Sequence, residues 1–575
     1  MAALGAAAAW AGPAAAQQPP TAVVYPSELQ QRIDGFGASS AWVTTSMTAS
    51  DANLTFSTDG GVGLSLLRIR IAPCMVAADN SCMETTAETS TAQTAQAMGV
   101  RVWATPWTPP AAWKSNDSTQ DGGTLLAADE DDWANALVGF VQYMQSEGVN
   151  LVGVSAQNEP TQSADYESCT YTADSLADFI GNHMGPAFQD AGLLGDGGLP
   201  FGIIAPETVS GGSDFAGFSS QILASDAVDY VGTVATHSYG TPPPYDPAVG
   251  QAGKEYWETE VYDQGDLAAP DAGPEAGAAA ELASGLWVAT TMNSALVTGG
   301  VNAWHYWWLY NYYGNNEGLF NLPGQPTKRL YAMGNYSRFV RPGFYRVTAT
   351  QLPADNVYVS AFYDPPSSTI VVVAANTSEA GDGGPGTVPM TFLFSGFSTG
   401  SWTSWVTSAT LNLEPGDPIP TTGPVTYTLQ PQSVTTLQGL VTGAAPVVAP
   451  DAGSSIAVVG VAGPDGGVVV SDSPGGNSQP IGGEGCGLAC SAAGRTPKSG
   501  RPARLALGVS LAACTLACLR SRRRGARRRG GGPSRSGPTG RAAEHGVRER
   551  RACSEAAADV ARLEEVQAVR VEVDG

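Results

Sequence analysis

The fold of this 575-residue chain is decided by one stretch, Val152-Gly153-Val154-Ser155-Ala156-Gln157-Asn158-Glu159-Pro160. It opens with a short apolar run, as in a parallel strand that is buried on both faces. The polar residues follow at once, so Glu159 lies where a strand gives way to a loop. In a (β/α)8 barrel that position is the C-terminal face, where the active sites of the fold are built.

A second glutamate occupies a similar position further along the chain. Glu260 lies in Glu255-Tyr256-Trp257-Glu258-Thr259-Glu260-Val261-Tyr262, again after a short strand-like run. Two carboxylates that converge at one face of a barrel are what a glycoside hydrolase uses. Glu258 and Glu255 are rivals for the second position. Strand alternation places Glu258 on the same side as Glu260 but one layer deeper, and Glu255 lies before the strand.

Strand-like and helix-like segments alternate from about residue 20 to residue 338. Buried strands are indicated at 64–71, 100–104, 151–154, 202–205, 231–236 and 301–306, and helices at 132–145 and 173–184. This pattern predicts an α/β barrel or a doubly wound sheet, and polar residues at the ends of several strands favour the (β/α)8 (TIM) barrel. After Arg341-Pro342-Gly343 the hydrophobic period becomes two, with turn residues between short strands, which predicts a β-sandwich.

Both ends of the chain carry targeting features. Residues 1–16 are alanine-rich and apolar and end in small residues, as in a signal peptide. Residues 442–485 have the composition of a disordered linker. In residues 486–529, two cysteines precede a short apolar run and a cluster of arginines, which resembles the C-terminal sorting signals of myxobacterial surface proteins. We therefore expect a secreted or outer-membrane-anchored protein that engages the cell-surface sorting machinery, with a disordered tail over 530–575.

Charge is unevenly placed along the chain. Of the 29 Lys and Arg residues 18 lie in residues 491–575, whereas 45 of the 53 Asp and Glu residues lie in residues 1–490. An acidic body repels nucleic acid and anionic polysaccharides, so a neutral polysaccharide is the expected partner. Alternatively, the acidic surface residues only keep a secreted protein soluble and say nothing about its partner. A monomer without a cofactor is expected.

Cysteine and histidine usage indicates neither a disulfide scaffold nor a metal centre. The eight cysteines are too few for such a scaffold, although Cys74 and Cys82 could pair in an oxidising compartment, and Cys169 has no partner nearby in the sequence. The four histidines are dispersed in sequence, which indicates no metal site.

Eight motifs in order resemble those of glycoside hydrolase family 30, most closely its bacterial xylanases. They are Ile33-Asp34-Gly35-Phe36-Gly37, Leu67-Arg68-Ile69, Thr105-Pro106-Trp107-Thr108-Pro109-Pro110, Gln157-Asn158-Glu159-Pro160, Thr236-His237-Ser238-Tyr239-Gly240, Thr259-Glu260-Val261, Trp307-Trp308 and Ser337-Arg338-Phe339-Val340-Arg341-Pro342-Gly343. The resemblance implies a catalytic barrel over 36–338 and a β-sandwich side domain over 339–441. It also implies that residues 17–35 give the side domain its first strand.

The resemblance assigns roles to the two glutamates. It makes Glu159 the general acid/base and Glu260, which follows Thr259, the nucleophile of a retaining reaction. Asn158 can donate a hydrogen bond to the sugar 2-hydroxyl. Arg68 could keep the nucleophile ionised by charge pairing, with Arg70 or a purely structural ion pair as the alternative.

Aromatic and histidine side chains at the strand ends are candidate substrate contacts. Tyr239 could hydrogen-bond the nucleophile or the sugar, whereas His237 could equally be a core histidine. Sugar rings stack on flat apolar faces, which suits the tryptophans at strand ends, and core packing is an equal alternative for any single one. These tryptophans are Trp42, Trp107, Trp113, Trp307 and Trp308. Neighbours on a strand face opposite ways, so we expect only one of the last two, Trp308, to line the cleft.

Two departures from the family pattern bear on specificity. Members specific for glucuronoxylan read the glucuronate with an arginine just after the paired tryptophans and a tyrosine shortly after the nucleophile. Here residues 307–314 contain no arginine, and Asp263 lies near the tyrosine's place, where it would repel glucuronate. The sequence therefore predicts an endo-β-1,4-xylanase without a strict glucuronate requirement. The alternatives are a β-1,6-glucanase or β-1,6-galactanase, and a catalytically lapsed carbohydrate-binding protein at the cell surface.

Overall fold

The computed structural model describes residues 18–73, 86–194, 201–265, 274–311, 315–381, 386–420 and 423–442. The predicted signal peptide, the Cys74–Cys82 pair, and the predicted linker, sorting segment and tail lie outside the described residues. Within these ranges, no helix combines the length and the apolar character that a membrane span requires.

The first strand, β1 (Thr21–Arg32), belongs to the side domain, and the barrel begins with the strand after it. Eight parallel strands form the barrel: β2 (Gly35–Ser39), β3 (Leu66–Ile71), β4 (Arg101–Pro106), β5 (Leu151–Ser155), β6 (Gly202–Thr208), β7 (Val231–Thr236), β8 (Glu255–Glu258) and β9 (Ala303–Tyr310). They pair in chain order, and β9 pairs with both β8 and β2, which closes the barrel.

Helices cover the outside of the barrel. They are α1 (Ala49–Phe56), α2 (Thr86–Ala97), α3 (Glu130–Ser146), α4 (Ala173–Phe179), α5 (Gly185–Asp190), α6 (Ser213–Ala224), α7 (Pro247–Gln251), α8 (Pro274–Ser294) and α9 (Lys328–Ser337). Helix α3 shows why they pack there, because Trp133, Leu137, Val141 and Met144 recur at helical spacing and are all buried. The apolar face of the helix thus covers the strands, while its acidic first turn meets the positive end of the helix dipole.

Side chains fill the inside of the barrel below its C-terminal face. This floor consists of Leu66, Trp103, Ile204, Ala235, Trp257 and Ala303. Side chains alternate along a strand, so the inward position of Leu66 on β3 places Arg68 inside the barrel as well, one layer higher. The floor therefore supports the polar residues at the strand ends.

One curled sheet builds the side domain. After the hairpin β10 (Gly318–Leu322) and β11 (Gln325–Pro326) come β12 (Tyr345–Ala349), β13 (Val357–Asp364), β14 (Thr369–Asn376), β15 (Val388–Phe394), β16 (Ser398–Thr407), β17 (Glu414–Pro415), β18 (Val425–Leu429) and β19 (Ser433–Thr442). The β10–β11 hairpin extends the barrel sheet next to β9. Strands β12 to β19 and β1 form the side-domain sheet, in the order β17-β16-β19-β14-β13-β12-β1-β15-β18.

The sheet curls over its own hydrophobic core. Phe394 of β15 stacks on Trp402 of β16 with ring centroids 4.9 Å apart, although the two strands lie near opposite ends of the sheet order. The predicted (β/α)8 barrel with a β-sandwich side domain is confirmed, and the two layers of the sandwich come from one continuous sheet.

Two neighbouring residues on β15 test this packing. Phe392 is fully buried in the side-domain core, whereas Leu393 is 36% exposed on the other face. We expect Phe392→Ala to destabilise the protein by about 3–5 kcal/mol, because it removes buried apolar surface and leaves a cavity. Leu393→Ala should cost no more than about 0.5 kcal/mol. Denaturant unfolding of both variants checks this, and equal losses would show that the face assignment is wrong.

Candidate active site

Arg68 lies at the centre of the residues at the C-terminal end of the barrel. Its side chain is fully buried. The guanidinium donates hydrogen bonds to side chains from four other parts of the barrel rim: Glu260 Oε2, Asn158 Oδ1 (2.6 Å), Glu207 Oε1 (3.0 Å) and Thr105 Oγ1 (3.2 Å). The planar guanidinium group is suited to bonding several side chains at once because it presents five N–H donors in a fixed plane.

Glu260 lies just beyond β8 with both carboxylate oxygens engaged. Oε2 accepts from Arg68, and Oε1 accepts from the Tyr239 hydroxyl at 2.9 Å. Burial raises the pKa of the Glu260 carboxyl above its ordinary value, while the charges of His237 and Arg68 act in the opposite direction and favour the ionised form. The carboxylate is thus oriented and charge-paired, as a nucleophile must be.

Glu159 lies just beyond β5 and has different neighbours. Its Oε1 is 3.1 Å from His237 Nδ1, and its Oε2 accepts from the Tyr166 hydroxyl at 3.3 Å. Its backbone has φ 44°, in the left-handed region that non-glycine residues seldom adopt and that is found at functional sites. One oxygen of Glu159 and one of Glu260 lie within 4.8 Å of each other.

His237 lies among three carboxylates, in the site itself. The imidazole is fully buried, 3.1 Å from Glu159 at Nδ1, while Nε2 is 3.6 Å from Glu207 Oε1 and 3.9 Å from Glu260 Oε2. Burial alone would lower its pKa, but the carboxylates outweigh burial and raise the pKa of His237 to about 10.

Sequence reasoning missed Glu207. It lies in β6, is fully buried, and binds both Arg68 and the Thr105 hydroxyl (3.1 Å). Burial would raise its pKa, but Arg68 and His237 outweigh burial and lower the pKa of Glu207 to about 2. A signal was present, because Glu207 follows the apolar run at 202–205 much as Glu159 follows the run at 152–155.

Three of the tryptophans form one cluster above Arg68. Trp42 lies 4.7 Å from Trp107 and 6.0 Å from Trp307 between ring centroids, and the Arg68 guanidinium lies 4.6 Å from the Trp107 ring. Trp42 and Trp307 are partly exposed, and the Trp307 ring lies 6.0 Å from the Arg68 guanidinium that bonds to Glu260.

The expectation that Trp307 and Trp308 face opposite ways is wrong. Their rings stack 5.2 Å apart and nearly parallel. The pairing of β2 with β9 shifts register between Ala38 and Ser39, and such a bulge breaks the alternation of side chains. Trp308 is buried and donates to Ala41 O at 2.6 Å, so it supports Trp307 from behind.

Other candidates lie apart from the glutamate pair. Trp113 packs against Trp133 of α3, with ring centroids 6.3 Å apart. Arg70 pairs with Glu167 at 2.8 Å and lies over Trp42, so the arginine that contacts Glu260 is Arg68.

The two rival glutamates occupy other environments. Glu258 is fully buried and accepts the His305 backbone N–H at 3.1 Å, and burial raises its pKa to about 8. Glu255 lies at the other end of β8, where it pairs with Arg32 at 2.9 Å. Asp263 is nearly buried, and its carboxylate accepts hydrogen bonds from Gly265 N (3.0 Å) and Asn316 Nδ2 (3.1 Å).

Within the described part of the chain, two groups of side chains have atoms close enough to share a cation. One is Glu159, His237 and Glu260, and the other is Glu130, Asp178 and His183 outside the barrel. In the first group the Arg68 guanidinium already supplies a positive charge against Glu260. In the second, His183 bonds to Asp131 at 2.7 Å. That the reaction needs no metal or cofactor stays a prediction.

Comparison with known proteins identifies relatives of this site and fold. The family model described as "Glycosyl hydrolase family 30 TIM-barrel domain" matches residues 83–268. The chain is 31% identical over 425 residues to Glucuronoxylanase XynC of Bacillus subtilis (strain 168), covering 71% of this chain and 89% of that protein. It is 32% identical over 99 residues to an endo-1,6-beta-D-glucanase of Neurospora crassa, covering 16% of this chain and 21% of that protein.

Solved structures agree with the sequence relatives. The glycoside hydrolase family 30 subfamily 8 xylanase Xyn30A of Clostridium acetobutylicum matches with a TM-score of 0.63 and 30% identity, covering 73% of this chain and all (100%) of that one. The endo-beta1,6-glucanase BT3312 matches with a TM-score of 0.55 and 20% identity, covering 73% of this chain and 94% of that one. The second likeness concerns the fold alone.

Substitution of Arg68 tests the geometry of the site. Arg68→Lys keeps the charge, but three donors on a flexible stem cannot replace the planar contacts to Glu260, Asn158 and Glu207. We expect kcat/KM for glycoside hydrolysis to fall about a hundredfold or more, since hydrogen bonds to charged groups contribute about 1.5–3 kcal/mol each. The control is Arg338→Lys, at a surface arginine that donates to Thr58 O at 3.0 Å. Equal rates for the two variants would show that charge alone suffices.

The closed barrel, the two glutamates at its C-terminal face and a relative matched over most of its length point to one assignment. The chain belongs to glycoside hydrolase family 30 and is a glycoside hydrolase.

Proposed function

We propose that the protein is an endo-acting, retaining β-1,4-xylanase that does not require glucuronate on its substrate. The observation that carries the retaining reaction is the separation of the two glutamates, whose nearest oxygens lie within 4.8 Å. Retaining enzymes hold their carboxyl groups about 5–5.5 Å apart, whereas inverting enzymes leave about 6.5–9.5 Å for a water molecule.

The two carboxylates divide the reaction between them. Glu260 attacks the anomeric carbon while Glu159 gives its proton to the glycosidic oxygen, which releases the leaving sugar. Glu159, now ionised, takes a proton from water, which displaces Glu260 from the anomeric carbon. The hydrogen bonds from Arg68 and Tyr239 keep Glu260 aimed and ionised before attack.

Asn158 supports the sugar at the cleavage point. Its Oδ1 is held by Arg68 at 2.6 Å, which leaves Nδ2 as the side that can donate. A hydrogen bond to the sugar 2-hydroxyl strengthens as the transition state forms. The partly exposed rings of Trp42 and Trp307 offer faces on which flat sugar rings stack.

Charge supports a substrate without glucuronate. The body of the protein is strongly acidic, and Asp263 places a carboxylate near the position where glucuronoxylan-specific members carry a tyrosine. Residues 307–314 contain no arginine that could pair with a glucuronate. The xylanases among the relatives support a substrate whose polysaccharide backbone is xylan.

Action outside the cell completes the proposal. A polymeric substrate is met outside the cell, which supports the export and outer-membrane attachment predicted from residues 1–16 and 486–529. The protein is proposed to act there as a monomer.

Product analysis tests the substrate. Incubation with unsubstituted linear xylan and with glucuronoxylan should give short neutral xylo-oligosaccharides from both, because residues 307–314 carry no arginine for the glucuronate and Asp263 would repel it. Mass spectrometry identifies the products. Products from glucuronoxylan alone, each with one glucuronate, would contradict the charge argument.

A β-1,6-glucanase is the second candidate. The observation in its favour is the match to an endo-1,6-beta-D-glucanase over 99 residues. β-1,6-Glucan in the same assay decides between the two, since a β-1,6-glucanase would release oligosaccharides from it and leave linear xylan intact.

Glu260→Gln separates an enzyme from a lapsed binding protein. We expect turnover to fall by about a thousandfold or more, with substrate still bound, because an amide cannot act as the nucleophile. The matched control is Glu258→Gln. Burial raises the pKa of the Glu258 carboxyl to about 8, so an amide of the same shape replaces a group that is largely uncharged at neutral pH, and the variant should keep most activity. If the wild type binds xylan and cleaves neither xylan nor β-1,6-glucan, the binding-protein alternative holds.

A further inference from the structure

Glu207 is a third carboxylate in the site, and the two-glutamate reaction does not use it. It is fully buried beside the two reacting groups. Its Oε1 accepts from Arg68 at 3.0 Å and its Oε2 from Thr105 at 3.1 Å. Its backbone carbonyl accepts the Glu159 N–H at 3.0 Å, so it is tied to both sides of the site.

His237 Nε2 faces two carboxylate oxygens. Glu207 Oε1 lies at 3.6 Å and Glu260 Oε2 at 3.9 Å, which are charge contacts longer than hydrogen bonds. Among the described residues this buried nitrogen has no hydrogen-bond partner. A lone pair on Nε2 would be repelled by both oxygens, whereas an N–H would be attracted by both.

The other ring nitrogen faces the acid/base. Nδ1 lies 3.1 Å from Glu159 Oε1. With a proton on Nε2, a bare Nδ1 can accept a hydrogen bond from the protonated Glu159, and a protonated Nδ1 can donate to the ionised Glu159. The same nitrogen can therefore serve both protonation states of Glu159 that the reaction needs.

We propose that Glu207 is a positioning residue whose fixed negative charge keeps a proton on His237 Nε2, so that Nδ1 shares a proton with Glu159. This inference rests on the proposed role of Glu159 as acid/base. The proton on Glu159 goes to the glycosidic oxygen in the first step and is regained from water in the second. Neither Glu207 nor the Nε2 proton is consumed.

Several charged or titratable groups surround His237 and contribute to the same balance. They are Glu159 after β5, Glu207 on β6, Tyr239 after β7, Glu258 on β8 and Glu260 just beyond it, and Arg68 on β3 bonds to both Glu207 and Glu260. Burial raises the pKa of Glu258 to about 8, whereas the pKa of Glu207 is lowered to about 2. Glu207, bonded to Arg68 and to the Thr105 hydroxyl, is thus an anion that takes no part in bond formation.

Histidine NMR on the whole protein tests the proton position without any substrate. Nitrogen-15 shifts of the four histidines are followed from pH 5 to 8, with His237 assigned by His237→Gln. We expect His237 Nε2 to carry a proton throughout. A neutral ring with a bare Nε2 would overturn the proposal, whichever polysaccharide the enzyme cleaves and even if it cleaves none.

Glu207→Gln tests the consequence for catalysis. Removal of a buried negative charge disfavours the protonated form of every neighbouring group. In the bell-shaped plot of kcat/KM against pH, measured on the substrate that the wild type cleaves, we expect both the acidic and the alkaline limb to move to lower pH by about one unit or more. A role limited to packing would lower the rate at every pH and leave the limbs in place, which would contradict the proposal.

Two further variants serve as controls. Glu88→Gln also alters a buried glutamate, but burial raises the pKa of Glu88 to about 8, so it should leave the limbs unmoved. Glu207→Asp keeps the charge and should return the limbs towards their wild-type pH even where its rate is reduced. If Glu207→Gln does not fold, the tautomer of wild-type His237 still decides the question.

Discussion

A guanidinium buried inside the barrel is the constraint on which the site depends. Removing Arg68 from water costs several kcal/mol, and a buried ion is tolerated only where charges and hydrogen bonds offset that cost. Glu207 and Glu260 supply the charges, and Asn158 and Thr105 the remaining acceptors. Because these partners come from different strands, their bonds to one rigid group hold several strand ends in register.

The fold supplies the rigidity that this arrangement needs. Below Arg68 the barrel is packed with apolar side chains, and above it lies the ring of Trp107 at 4.6 Å. The side domain packs against the barrel through α9, where Asn335 donates to Thr436 Oγ1 at 2.9 Å. Active-site side chains on strand ends are therefore held by the rigid body of the barrel.

Much of the site could be predicted from strand ends. Glu159, Glu260, Arg68, Asn158 and Tyr239 each lie in or just after a recognisable strand, and the structure brings all five together. Glu207 follows the same pattern, yet its importance arises from charges that meet across the barrel, which no single strand reveals. Likewise the Trp307–Trp308 stack depends on a bulge between β2 and β9. Tyr166 lies in a loop without periodicity, so nothing in the sequence placed it beside Glu159.

The central claim is that Glu260, which is held by Arg68 and Tyr239, and Glu159, which is bonded to His237 and Tyr166, have different roles. A 2-deoxy-2-fluoro xylobioside with a good leaving group slows the release of a covalent sugar from a retaining enzyme, so that the labelled peptide can be mapped by mass spectrometry. The account predicts one 2-fluoroxylobiosyl group per protein, bound to Glu260. A label on Glu159, Glu258 or Glu255, or a product of inverted configuration with no label, would contradict it.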